Sequence, residues 1–322
     1  IQRSTREIVN STKTLTTKPD LSEGILRALH DLTPQDTSQI KLVVISTTLA
    51  TNAIAEGKGR PVGLFLLGYD PDLIREFSLE SRFASTHYYY FQGGHDLYAN
   101  EQAPLDIEGI RATAQMIKGE VEAIAISGYF SPFNASHEEQ AFQVISQAID
   151  QPAVLGHELS TRLDSIQRAT TASLNASLLS HLQNFIQAMV NSLRERDIHA
   201  PLMVVRGDGA LMEAEVAQRR PIETVHSGPA ASAIGGRFLA RVDKALVIDI
   251  GGTTTDIALI EDGQVQIREE GTTVGRYRTA VRAAKIHSLG LGGDSFIQIN
   301  IEDQLEIGPS RVQPLSSLAQ AH

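Results

Sequence analysis

Two hydrophobic patterns alternate along the chain. The runs "KLVVIST" (Lys41–Thr47), "RPVGLFLLG" (Arg60–Gly68) and "VEAIAIS" (Val121–Ser127) are apolar on consecutive positions and short. This is the signature of strands covered on both faces. Between them, "TLATNAIAEG" (Thr48–Gly57), "DIEGIRATAQMIKGE" (Asp106–Glu120) and "NASHEEQAFQVISQAI" (Asn134–Ile149) place apolar residues at helical spacing. In the second, Asp106 stands at the cap position and Ile107, Ile110, Ala114 and Ile117 share one face. Nearer the start, "KPDLSEGILRALHDL" offers Asp20 and Glu23 as a capping box ahead of Leu21, Ile25, Leu26 and Leu29. Buried strands alternating with amphipathic helices predict an α/β fold on a largely parallel sheet.

Other stretches break that rhythm. The opening "IQRSTREIVNSTKTLTT" is rich in Thr, Val and Ile and reads as strand. "THYYYFQGGHDLYANEQ" (Thr86–Gln102) reads as a local β insertion, and alternation in a strand accounts for its tyrosines. A long helical region covers roughly Leu163 to Glu195, and "PLMVVRGDG" (Pro201–Gly209) returns to strand. The last third holds the helix "SGPAASAIGGRFLA" (Ser227–Ala240), then short strands and many glycines, with no helix expected after about Arg241. A soft boundary near Gly156 divides the chain into regions 1–156 and 157–322.

Composition narrows the function classes. Net charge is −10, with 42% hydrophobic and 20% charged residues. An acidic chain without a basic stripe predicts no nucleic-acid partner. No apolar run has membrane-spanning length, so no membrane partner is expected. With no cysteine there is no disulfide, thiolate nucleophile or cysteine metal site. That absence is compatible with the cytoplasm, where the protein is expected. The chain opens without an initiator methionine, an apolar leader or a cleavage site, and so reads as the interior of a longer polypeptide.

The most informative stretch is "ALVIDIGGTTTDIALIEDG" (Ala245–Gly263). Two apolar strands flank a turn containing Gly251, Gly252, Thr253, Thr254 and Thr255, with Asp249 before it and Asp256 after. Paired glycines let backbone N–H groups approach a ligand closely, and successive N–H groups in a turn make an anion-binding nest. The three threonines add hydroxyl donors. Carboxylates cannot bind phosphate directly, but Asp249 and Asp256 could hold Mg²⁺, or water on it, against phosphate oxygens. The expected ligand is a metal-bound nucleotide phosphate. No Gly-Lys-Ser/Thr follows and a strand comes next, so this is not a Walker loop. A plain hairpin with solvent-facing threonines is the bland alternative.

"DIGGTTTD" resembles the second phosphate loop of the acetate kinase, sugar kinase, heat-shock chaperone and actin superfamily. The small-residue helix before it, with Ala230, Ala231, Ala233, Gly235 and Gly236, resembles that superfamily's hinge helix. A narrower likeness covers most of the chain. "STTLATNAIAEGKG" (Ser46–Gly59), "HELSTRLDSIQRATTASLNASL" (His157–Leu178), "RGDGALMEAEVAQRRPIETVHSGP" (Arg206–Pro229), "SGPAASAIGG", "VIDIGGTTTDIALI" and "LGLGGDSF" (Leu289–Phe296) resemble the hydantoinase A, N-methylhydantoinase and 5-oxoprolinase family. The resemblance implies an actin-like, ribonuclease H-like ATPase architecture of two lobes about a hinge helix. It implies opening of a cyclic amide of hydantoin or 5-oxoproline type by ATP-dependent phosphorylation of the amide oxygen, with ATP and Mg²⁺ as cofactors. The chain would be the A-type subunit of an oligomer, with a B-type subunit as possible partner. Some relatives activate a ketone for carboxylation instead. The family's first Gly-Gly-Thr loop has no counterpart in this sequence, which starts just past its expected place, and the family's Pro-Gly-Pro continuation is also missing. A small-molecule kinase and a non-catalytic ATP-driven scaffold or reactivating subunit are the rival readings.

Remaining candidates carry double readings. Thr47, Thr48 and Asn52 lie where a strand meets a helix and could line a substrate pocket or simply begin the helix. Asp208 in "RGDG" could face the cleft or form an Asp-Gly turn. His226 and Ser227 precede the small-residue helix and could reach the γ-phosphate or attacking water, or Ser227 could be an ordinary cap. His157 and Glu158 lack a second histidine at helical spacing, which argues against a metal. Arg168 could steady an anionic substrate or sit on a helix surface. Gly290, Gly292, Gly293 and Ser295 read as a tight β-corner rather than a nucleotide contact.

Overall fold

The computed structural model describes residues 1–2, 4–14, 21–32 and 36–313. In chain order the helices are α1 (Leu21–Leu32), α2 (Leu49–Ala55), α3 (Pro71–Glu76), α4 (Ile107–Ile117), α5 (Ser136–Ala148), α6 (Gly156–Leu159), α7 (Ser165–Glu195), α8 (Ala214–Arg219) and α9 (Ser227–Ala240). The first nine strands are β1 (Val43–Ile45), β2 (Val62–Leu67), β3 (His87–Phe91), β4 (Ala123–Gly128), β5 (Ala153–Leu155), β6 (Leu202–Val205), β7 (Leu211–Glu213), β8 (Ala245–Ile250) and β9 (Thr255–Glu261). The cap expected at Asp20 lies outside the described residues. The described part of the opening segment forms one isolated Gln2–Glu7 bridge rather than a strand.

The parallel sheet runs β3-β2-β4-β5. Every residue of β2 and β4 is buried, as their unbroken apolar runs require. Side chains alternate between the two faces. Phe65, Leu67, Ile124 and Ile126 meet Ile110 and Ile117 of α4 and Ile145 of α5. Leu64, Leu66 and Ala125 meet Ala169, Ala172 and Ala176 of α7 on the other face. Each such large side chain contributes roughly 1.5–3 kcal/mol by leaving water. The predicted Asp106 cap is formed, with its carboxylate accepting the Gly109 N–H at 2.9 Å. A second expectation is overturned. "HYYYF" is not a local insertion but a full strand of this sheet, β3, paired in parallel with β2 from Gly63–His87 to Leu67–Phe91.

The 31 residues of α7 span about 46 Å. Its small residues lie on the parallel sheet, while Leu182 and Ile186 pack on β6 and α8, and Met189 and Leu193 meet Ile25 and Leu29 of α1. β1 pairs in parallel with β6, and β6 pairs antiparallel with β7. β8 and β9 form an antiparallel hairpin, extended at β9 by Gln264–Val265 and Ile286–Leu289. Helix α9 covers one face of this hairpin, where Ala233, Ala258 and Ile260 are buried. The opposite face of β8 is bare, with Leu246, Ile248 and Ile250 exposed by 60%, 52% and 69%. Among the described residues no helix is long and apolar enough to cross a membrane.

Candidate functional site

The pairing of β8 with β9 ends at Ile250–Thr255 and leaves Gly251, Gly252, Thr253 and Thr254 as a four-residue loop. The loop closes through the Gly251 N–H, which donates to the Thr254 carbonyl at 2.9 Å. The N–H groups of Gly252, Thr253 and Thr254 and the hydroxyls of Thr253 and Thr254 donate to nothing among the described residues, and all four loop residues are exposed. An anion placed there would meet a cluster of open donors. Neither glycine has a positive φ. Their role is close approach: a Cβ on Gly252 would lie 2.6 Å from an Asp294 carboxylate oxygen.

The second glycine-rich stretch is the other half of this approach. The N–H groups of Gly293 and Asp294 donate to the carbonyls of Gly251 and Gly252, each at 2.8 Å. A Cβ on Gly292 would fall 2.5 Å from the Gly252 carbonyl. The Thr255 hydroxyl donates to the Leu291 carbonyl at 2.8 Å, so it pins the two loops together while Thr253 and Thr254 stay open. Gly290, Gly292, Gly293 and Ser295 thus form a corner clamped on the hairpin loop, with the Gly292 N–H bonded to the Ser295 hydroxyl at 2.9 Å.

Asp249 and Asp256 are directly opposed across the two strands, which puts both carboxylates on the same face. Asp256 accepts a hydrogen bond from the Ser288 hydroxyl, and Asp249 accepts none from the described residues. Opposed like charges are destabilising unless a cation or donor compensates them. A divalent cation bridging phosphate oxygens would do so, and Mg²⁺ is commonly held by one or two carboxylates plus phosphates. The pair therefore fits Mg²⁺ as a phosphate-borne ion. Among the described residues no group of three or more His, Asp or Glu is arranged to hold a metal by itself.

Strand β1 and the start of helix α9 meet at a second group of polar residues. The Ser227 hydroxyl donates to the Thr47 carbonyl at 2.9 Å, and the Thr47 hydroxyl accepts the Leu49 N–H at 3.1 Å. Ser227 is thus not a helix cap: His226 holds that position, in a left-handed backbone conformation with φ of 61°. The His226 N–H donates to the Thr51 hydroxyl at 3.1 Å. Its Nε2–H donates to the Thr273 carbonyl at 3.1 Å, because a carbonyl can only accept. Nδ1 is then the unprotonated nitrogen of the neutral ring. Burial pulls the His226 pKa below the ordinary histidine value, opposed by the Thr273 bond and the nearby Asp256 carboxylate. Thr48 caps α2 without a side-chain bond to the helix backbone, and the Asn52 amide donates to its hydroxyl at 3.2 Å. The structure thus gathers Thr47, Thr48, His226 and Ser227 at one junction, with His226 reaching electrostatically toward Asp256.

Asp208 goes elsewhere. It forms an Asp-Gly turn between β6 and β7, accepting the Ala210 N–H at 3.0 Å, and pairs with Arg206 at 3.2 Å. It lines a cavity with Ile234 and Arg237 of α9 and Gly263, at the end of β9 away from the loop. Arg168 is not on a helix surface. It is completely buried and donates to the carbonyls of Gly128, Tyr129 and Arg162, each at 2.6 Å. Sequence reasoning did not single out Ser288, Thr273 or Asp294. Asp294 lay within the quoted "LGLGGDSF", but nothing in Ser288 or Thr273 signalled a contact across the fold.

Two family models match the chain: Hydantoinase/oxoprolinase over residues 168–318 and Hydantoinase/oxoprolinase N-terminal region over residues 1–149. The alpha subunit of caprolactamase from Pseudomonas jessenii is 28% identical over 83% of this chain and 41% of its own length. The crystal structure of the ATP-dependent caprolactamase from that organism superposes with a TM-score of 0.74 and 26% identity, covering 93% of this chain and 47% of that one. A nucleotide-free structure of acetone carboxylase superposes with a TM-score of 0.76 at 20% identity, covering 92% of this chain and 47% of that one. The α/β fold class expected from the sequence is thus the observed one. The chain spans less than half the length of these relatives.

Proposed function

We propose that this chain, which belongs to the hydantoinase/oxoprolinase family, forms half of the nucleotide site of an ATP-dependent enzyme that opens a cyclic amide. The observation that carries the reading is the loop Gly251–Thr254, with unspent donors beside an opposed pair of aspartates. Bound Mg·ATP would supply the phosphoryl group that makes the amide oxygen a leaving group. The open N–H groups of Gly252, Thr253 and Thr254 would hold the phosphates, and Asp249 and Asp256 would hold the metal. Orientation and charge stabilisation are the main resources for such chemistry.

His226 adds a polar function to the same side. With Nε2–H committed to the Thr273 carbonyl, its Nδ1 is available to take a proton from water or substrate. Its lowered pKa keeps the ring neutral near pH 7, as a base requires. Thr47 and Ser227 hold the histidine's segment against β1. The reading also places the chain in an oligomer as the A-type subunit, with a B-type subunit as partner. It is supported by a caprolactamase relative named as a subunit.

The test uses the full-length protein. Asp249→Asn is expected to abolish Mg·ATP binding or turnover, measured by calorimetry and phosphate release. Undiminished binding and turnover would remove the metal assignment. Product analysis separates the rivals: a stable phosphorylated product indicates a kinase, and ATP turnover that responds only to a protein partner indicates a scaffold.

A further inference from the structure

The carboxyl end of the parallel sheet carries a second cluster of polar groups, separate from the hairpin loop. Glu138, in the first turn of α5, is completely buried. One of its oxygens accepts the Gly128 N–H at 2.7 Å. The other accepts the His157 N–H at 3.0 Å and the His157 ring at Nδ1, 2.6 Å away. An ionised carboxylate only accepts, so Nδ1 carries its proton toward Glu138. The other ring nitrogen, Nε2, has no hydrogen-bond partner among the described residues. The buried carboxylate thus fixes both the tautomer and the orientation of the imidazole.

His157 lies just beyond β5 and lines a cavity of about 410 Å³. The carboxyl ends of parallel strands are where α/β sheets hold ligands. The charges around this cavity are unevenly spent. Arg206 pairs with Asp208 and Glu223, and Arg282 pairs with Glu269. Arg162 donates to the backbone carbonyl of Glu269 but is within ion-pair distance of no carboxylate among the described residues. Two donors of the cavity lining are therefore left over: the Arg162 guanidinium and, when the ring is protonated, Nε2 of His157. Glu138 favours that protonation, since its hydrogen bond pushes the His157 pKa up, against the cost of burial. Glu138 balances the charge of a protonated His157, so the Arg162 guanidinium leaves one positive charge for the ligand, which suits a monoanionic carboxylate. The opposing feature is Glu158, an exposed acid in the lining that makes no ion pair within reach among the described residues.

We infer that this cavity is a second ligand site, taking the carboxylate of a small monoanion between Arg162 and His157. The inference does not depend on the nucleotide reading. Titrating acetate into the protein with ¹⁵N-labelled histidine tests it. A saturable shift of the His157 ring resonances is expected. Arg162→Ala and His157→Gln should each weaken acetate binding, followed by calorimetry, by about tenfold or more, the range of a lost charged hydrogen bond. Glu158→Gln should tighten it. Arg162 is half-buried and outside the core, so its variant keeps the test open should His157→Gln fold poorly. No saturable shift, or affinities within about twofold of the parent in Arg162→Ala, would overturn the proposal.

Discussion

Strands β4 and β8 are both six residues long and strongly apolar, yet the protein treats them differently. β4 is buried along its whole length, with helices on both faces of its sheet. β8 has α9 on one face and solvent on the other, so its residues alternate between half-buried and exposed. The closed region can hold charged groups such as Glu138 and Arg168 in fixed positions, with both Glu138 oxygens and the terminal nitrogens of Arg168 hydrogen-bonded, because its packing resists rearrangement. The half-open region keeps hydrogen-bond donors unspent at its loop. Rigidity and availability are assigned to different parts of one chain.

The largest effect should come from the closed side. Ile126→Ala is expected to cost about 2–5 kcal/mol by denaturant unfolding, since its side chain is fully buried. A cost below about 1 kcal/mol would mean that the sheet is looser than its packing implies. Next is Gly292→Ala, which drives a Cβ into the Gly252 carbonyl. It should destabilise by about 1–3 kcal/mol and lower nucleotide affinity, read by melting and by calorimetry. Unchanged values in both would separate the two glycine loops.

The two histidines sharpen the contrast through pH. The folded pKa of His157 is raised by Glu138, so its stabilisation is full below the unfolded value of about 6.5 and is lost as pH rises through the folded pKa. The folded pKa of His226 is lowered by burial, so stability at that site is intact above about 6.5 and falls as pH drops toward its folded pKa. His157→Gln should therefore lose more stability at pH about 5.5 than at about 8.5, and His226→Gln the reverse, by chemical unfolding. The same trend in both variants would contradict the assigned environments. The smallest effect is expected from Ile248→Ala, within about 0.5 kcal/mol, because the residue is half in water. A cost like that of Ile126→Ala would show that this face of β8 is covered in solution.

Much of the closed region was legible in the sequence, because period and cap are local properties. The Asp106 cap and the faces of α4 and α5 follow from spacing alone. β3 was misread because membership of a parallel sheet depends on its register with β2, a tertiary matter that "HYYYF" does not encode by itself. Arg168 and Glu138 look like surface residues of helices. Both are buried against the carboxyl end of β4, where Glu138 accepts the Gly128 N–H and Arg168 donates to the Gly128 and Tyr129 carbonyls, tertiary partners that helical spacing does not encode. In the hairpin region the loop was readable as a motif. The contact between His226 and Thr51 joins residues 175 positions apart and leaves no local trace.

The length of α7 has a last implication. Ala169 and Ala172, Leu174 and Leu178, Leu182 and Ile186, and Met189 and Leu193 belong to four successive apolar clusters along one rod. No one of these clusters can melt without stripping a turn of a helix the others still need. Amide protons along the middle of that helix should consequently escape to solvent together, and only when the whole assembly of clusters comes apart.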